Sequence, residues 1–304
     1  MKVVLALDGS ESSLVARDLA GGLHWPAGTI VHLLAAYQVP ADWIGGVGST
    51  VDWVGDAEDA MRDQLDEELR TLADPLVENG LDVERHVAHG RAATAINDLA
   101  AEIGADLVVT GSRGRGQLHS MLLGSVAAEV ASDAPCPVLV ARGPTVSRLL
   151  VATDGSRSAN AISERLEALE AFRGSLADAV AVSIPDSPAF ELMVGLYTLG
   201  DERLASKRRE LRERYQADAD AIAERLTAIG IPTTPHLRAG DPAREILAAA
   251  EEYGSDLIVT GSRGLGGLER MLLGSVARNV LIHARCSVLI VRTGVPADLG
   301  RVEH

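Results

Sequence analysis

The sequence predicts an α/β protein made of two tandem domains, each a doubly wound, open parallel sheet with helices on both faces. Three observations predict it: a long motif that occurs twice, short apolar runs alternating with stretches of helical period, and glycine-rich turns where the runs end. The motif running from Gly111-Ser112-Arg113-Gly114 to Gly124-Ser125-Val126-Ala127 returns 150 positions later as Gly261-Ser262-Arg263-Gly264 to Gly274-Ser275-Val276-Ala277, with 13 of 17 residue pairs identical. The beginnings match too, Leu7-Asp8-Gly9-Ser10 against Thr153-Asp154-Gly155-Ser156, as do the ends, Val138-Leu139-Val140 against Val288-Leu289-Ile290. The copies therefore span 1–143 and 147–293, with a tail at 294–304 and a joint at Gly143-Pro144, a step that ends a strand.

In the first copy the strands are read at Val3–Leu7, Ile30–Tyr37, Val83–Ala88, Leu107–Gly111 and Val138–Arg142. They are continuous apolar runs, as expected of parallel strands covered on both faces. Between the second and third strands, Met61, Leu65, Leu69, Leu72 and Leu76 recur at helical spacing and set one apolar stripe toward the sheet, with Pro75 expected to bend or end the helix. Leu211, Tyr215, Ile222, Leu226 and Ile229 mark the same stripe in the second copy.

Composition excludes several classes. With 47% hydrophobic and 23% charged residues the 304-residue chain is globular, neither disordered nor membrane-embedded. A formal net charge of −15 repels nucleic acid and anionic lipid, so neither is an expected partner. Two cysteines, Cys136 and Cys286, do not make a disulfide scaffold, and an acid at Asp8 interrupts any signal-peptide core, so a cytoplasmic location is expected.

In an open parallel sheet, ligands bind beyond the carboxyl ends of the strands where the strand order reverses. The first strand of each copy ends there in an acid, Asp8 or Asp154, followed by glycine and a serine able to cap the next helix. One such Asp is explained by turn formation alone; its recurrence beside a glycine-rich loop points toward a ligand. Glycines let the backbone approach an anion, and Gly-Ser at a helix start presents N–H groups, a hydroxyl and the positive end of the dipole. That is phosphate-binding architecture. A kinase-type phosphate loop is absent, and the only lysines are Lys2 and Lys207.

The Gly-x-x-Gly-x9-Gly-Ser spacing after a fourth strand, with Asp-Gly-Ser after the first and Pro-Val-Leu-Val in the fifth, resembles the universal stress protein family in its tandem, ATP-binding form. The resemblance implies a sheet order of 3-2-1-4-5 per copy and up to two ATP sites per chain. It places Ala6, Asp8, Ala36, Gly111, Gly114, Gly124, Ser125 and Val126 around one nucleotide, and Ala152, Asp154, Ile184, Gly261, Gly264, Gly274, Ser275 and Val276 around the other. Arg113, Arg115 and Arg263 are the side chains expected at the outer phosphates. It also implies that the two copies pair through their apolar fifth strands within one chain, and it admits a homodimer.

The function expected is nucleotide-dependent regulation or interaction, with the downstream protein partner unspecified. Turnover needs a base, metal carboxylates and a phosphate lysine or arginine finger, and only Asp8 and Asp154 answer to that list; a slow Mg²⁺-dependent ATPase or phosphotransferase is the enzymatic alternative, and a scaffold with vestigial pockets the structural one. His86-x-x-His89 reads as strand-end surface, without a partner at a fixed metal-ligand spacing. Trp43 and Trp53 flank a glycine-rich loop after the second strand, and Phe190, Met193 and Tyr197 occupy its counterpart, suggesting an interdomain contact or a flap.

Overall fold

The computed structural model describes residues 1–38, 52–114, 123–183, 202–262 and 273–292. The chain divides into two compact units, Met1–Pro144 and Thr145–His304. The first contains β1 (Lys2–Ala6), α1 (Glu11–Gly22), β2 (Ile30–Tyr37), α2 (Asp52–Glu78), β3 (Asp82–His89), α3 (Ala92–Ile103), β4 (Leu107–Gly111), α4 (Ser125–Asp133) and β5 (Val138–Ala141). The second repeats this order as β6 (Arg148–Thr153), α5 (Arg157–Leu169), β7 (Leu176–Ser183), α6 (Glu202–Ala228), β8 (Thr233–Ala239), α7 (Pro242–Tyr253), β9 (Leu257–Gly261), α8 (Ser275–His283) and β10 (Ser287–Val291).

Every strand pairing within a unit is parallel. In the first, β1 lies between β2 and β4, β3 pairs outside β2, and β5 outside β4, which is the order 3-2-1-4-5. The second repeats it, with β6 between β7 and β9, β8 outside β7 and β10 outside β9. The order reverses between β1 and β4, and between β6 and β9. A crevice opens beyond the carboxyl ends of such a pair because the helices following the two strands lie on opposite faces of the sheet.

The central strands are apolar because both faces are covered: Val3, Val4 and Leu5 of β1 and Leu107, Val108 and Val109 of β4 are fully buried. At an outer position β3 departs from the expected continuous run. Its sequence Asp-Val-Glu-Arg-His-Val-Ala-His is exposed or half-buried throughout, and its charged residues suit a strand with a solvated flank. Along α2, Leu69 and Leu76 are fully buried. The helix runs through Pro75 to Glu78 rather than ending there. A proline in the last turn forfeits one ladder bond, and burial of Leu76 holds that turn in place.

Candidate functional site

In the first unit a cavity of about 390 Å³ opens at the switch between β1 and β4, a size suited to a small-molecule ligand. Its wall is formed by Ala6 and Asp8 at the end of β1, Ala36 on β2, Gly111, Arg113 and Gly114 at and beyond the tip of β4, and Gly124, Ser125 and Val126 at the start of α4. The first-copy site residues named from the sequence, apart from Arg115, which lies outside the described residues, are thus brought around one space. Leu34, Leu65, Ala92 and Ile96 join them, none of which carries a ligand-binding signature in the sequence. Leu65 lies in the α2 stripe and Ile96 on the buried face of α3, so their pattern is that of ordinary core.

Local chemistry builds the acidic rim. Gly9 adopts a left-handed φ of 71°, a turn that L side chains disfavour, and Asp8 Oδ1 accepts hydrogen bonds from the Ser10 N–H (3.0 Å) and Ser10 Oγ (2.6 Å). Ser10 in turn caps α1, its Oγ accepting from the Ser13 N–H at 3.2 Å. Asp8 therefore performs the turn role and a second one, since its Oδ2 lies 2.9 Å from where a Cβ at Gly114 would stand. A side chain there would push the Asp8 carboxylate aside.

Two helix starts also border the cavity. The Gly124 N–H donates to the Ser112 carbonyl at 2.7 Å, tying the start of α4 to the chain that leaves β4. Gly124, the N-cap of α4, offers no side-chain cap, and Ser125 and Val126 of its first turn line the cavity, where a helix start presents N–H groups and the positive end of the dipole. Arg91, the residue before α3, likewise caps nothing, and Ala92 in the first turn of α3 lines the same space. Two helix N-termini and Arg113 thus border a space lined by the apolar residues Ala6, Leu34, Ala36, Leu65 and Ile96.

The second unit repeats the frame with different charges. Gly261 ends β9, Ala152 lies near the end of β6, and the Gly274 N–H donates to the Ser262 carbonyl at 2.7 Å, leaving Ser275 and Val276 at the start of α8. Asp154 Oδ1 accepts from the Ser156 N–H at 2.9 Å, as Asp8 does from Ser10. Ile184, Arg263, Gly264, Arg115 and Trp43, and the side chain of Trp53, lie outside the described residues, as do Phe190, Met193 and Tyr197. Tyr215 and Asp218 take the α6 positions that Leu65 and Glu68 hold in α2, and Asp241 caps α7 through the Arg244 N–H at 2.9 Å where Arg91 leaves α3 uncapped. The Asp218 carboxylate packs directly against Gly155. Burial, and secondarily the charge of Asp154, pushes the Asp218 pKa up against the opposing pull of Arg214; burial followed by Asp154 raises that of the Tyr215 hydroxyl.

Both halves thus define one class, a tandem of doubly wound parallel α/β domains, and in the first a glycine-lined cavity opens at the switch point. The profile of the universal stress protein family matches residues 1–142 and again 145–292, and the chain belongs to that family. A universal stress protein of Mycolicibacterium smegmatis is 29% identical over 305 residues, covering 95% of this chain and 96% of its own. The crystal structure of a universal stress protein from Archaeoglobus fulgidus superposes with a TM-score of 0.64 at 23% identity, covering 96% of each chain. A universal stress protein solved in complex with cAMP aligns with 47% of this chain and 97% of its own, at 29% identity and a TM-score of 0.36. No helix among the described residues is long and apolar enough to cross a membrane.

Proposed function

We propose that the protein binds an adenine nucleotide, ATP foremost, at the switch point of each unit, and that occupancy rather than turnover carries its function as a regulator or interaction module in the cytoplasm. The observation that carries this reading is the cavity of the first unit, which joins apolar residues fit for a base to the starts of α3 and α4, where no N-cap side chain bonds, and to Arg113. Fixed N–H dipoles at a helix start hold phosphate against an acidic global field. Gly111 and Gly114 extend the cradle, for a Cβ at either would strike Ser12 or Asp8. Asp8 Oδ2, on the side of Gly114, is the acceptor suited to ribose hydroxyls.

These groups hold a ground state. Backbone donors and a serine stabilise phosphates already charged, while little on the cavity wall is arranged to meet charge developing in a transition state. Mg²⁺ enters only in the enzymatic alternative, where it would accompany the nucleotide. Calorimetric titration with ATP, ADP and cAMP, followed by steady-state phosphate release with Mg²⁺, tests the proposal. Saturable adenine-nucleotide binding with negligible turnover is expected. No ATP binding at millimolar concentration overturns the site, and turnover at ~1 s⁻¹ or above, lost in Asp8→Ala, replaces the regulator with an enzyme.

A further inference from the structure

On β2 and β3 of the first unit, three metal-binding side chains that do not line the nucleotide cavity come together. His32 and Glu84 are register partners, and His86 stands two residues beyond Glu84, so the pleat sets all three on one face of the sheet. His32 Nδ1 lies 3.0 Å from His86 Nε2 and 3.3 Å from Glu84 Oε2. All three candidate ligand atoms fall within 4.8 Å of one another. Ligand atoms ~2.0–2.1 Å from a tetrahedral Zn²⁺ are about 3.3 Å apart, so two of these separations are already near those of a filled site. The His32 side chain is 5% exposed and that of Glu84 57%, which puts an ion at the edge of the core with one position open to water.

The second unit offers an internal comparison. Asp178 replaces His32, Thr234 replaces Glu84, Arg148 replaces Lys2, and His236 keeps the place of His86. There the buried Asp178 accepts hydrogen bonds from Arg148 Nε and His236 Nε2, each at 2.9 Å, and a second guanidinium nitrogen stands at 2.8 Å. That cluster is closed by its own cation. In the first unit the Lys2 ammonium donates instead to the Ile103 carbonyl at 2.9 Å, leaving two imidazoles and a carboxylate facing one another. Burial, the largest influence, lowers the His32 pKa, with His86 and the Lys2 charge acting the same way and Glu84 against them.

We propose that His32, Glu84 and His86 bind one divalent first-row transition ion through Nδ1, a carboxylate oxygen and Nε2, with water in the fourth position. The donor set, two imidazoles and one carboxylate, suits Zn²⁺ with an exchangeable water. His32 Nε2 is buried without a hydrogen-bond partner, so its proton lacks the acceptor that metal-bound histidines usually enjoy; affinity about 10–100-fold below that of a site with a complete outer shell follows.

The test uses the full chain, stripped with chelator and dialysed, then titrated with Zn²⁺ by calorimetry and with Co²⁺ by visible absorption. One ion per chain is expected, with a tetrahedral Co²⁺ band, and His86→Ala and Glu84→Gln each weaken binding by about tenfold or more while circular dichroism stays unchanged. His86 and Glu84 are chosen because neither is core, so these variants fold; any histidine elsewhere that binds metal contributes equally to both isotherms. Indistinguishable wild-type and His86→Ala isotherms, or no Co²⁺ band, overturn the proposal and leave the cluster as an imidazole–imidazole hydrogen bond only. None of the three residues lines the nucleotide cavity, so the presence or absence of nucleotide binding does not decide this result.

Discussion

Gly111→Ala tests the cavity and its architecture together. A Cβ at Gly111 would lie 2.6 Å from the Ser12 carbonyl oxygen, 2.7 Å from its carbon and 2.8 Å from its hydroxyl. Two of those atoms are backbone at the start of α1, so no rotamer change relieves the contact, and α1 and the tip of β4 must separate by roughly half an ångström in a close-packed interior. The same movement stretches two bonds that join these elements, Arg113 N–H to Ser12 Oγ at 3.1 Å and Ser12 Oγ to Ser112 Oγ at 3.3 Å. Overpacking of this kind costs ~1–3 kcal/mol. For a unit of about 150 residues that lowers Tm by about 2–12 °C. Differential scanning calorimetry of the full chain reads the shift in the first-unit transition, and titration with ATP reads the loss of affinity as Arg113 and the Ser112 anchor of α4 move. An unchanged Tm with unchanged affinity would show that α1 and β4 are not held together as the distances require, and the reasoning about the cradle would fail with it.

Further outcomes are expected at other positions. Gly114→Glu places a side chain where a Cβ alone comes within 2.9 Å of Asp8 Oδ2 and adds a negative charge to the phosphate end, so calorimetric stoichiometry for ATP should fall by the first-unit site while the fold persists. Asp218 carries a raised pKa in the folded state, so the folded state binds its proton more tightly and stability from this group falls as pH rises from the ordinary carboxyl range through the folded pKa. Asp218→Asn should therefore stabilise the second unit at neutral pH, the gain vanishing in acid, and should strengthen ATP binding there; urea titrations at several pH values check it. Asp178→Ala leaves the Arg148 guanidinium and His236 without their shared acceptor, a loss near the lower end of ~3–5 kcal/mol because Arg148 keeps partial solvent contact, measurable as a reduced urea midpoint.

Much of this protein is fixed by local pattern. The two-domain plan follows from a repeat that needs no folding to be seen, and the strands from apolar runs that only a doubly covered sheet can bury. Asp8, Gly111, Gly114, Gly124 and Ser125 were legible because each is a residue type with a local backbone reason, at a strand tip, in a tight loop or at a helix start, and the sheet's switch point then gathers them. Tertiary structure decided the rest. Leu65 and Ile96 line the cavity while looking like any other residue of an apolar stripe, since which side chains on a buried face border an open space depends on packing. The two units differ at Asp218, which packs against Gly155, and at Asp241, which caps α7 where Arg91 leaves α3 uncapped, and only the fold shows what these carboxylates touch. His86 reads from sequence as solitary surface. Its partner His32 lies 54 residues away, and only the lateral register of β2 on β3, set by hydrogen bonds between distant segments, puts the two rings and Glu84 on one face.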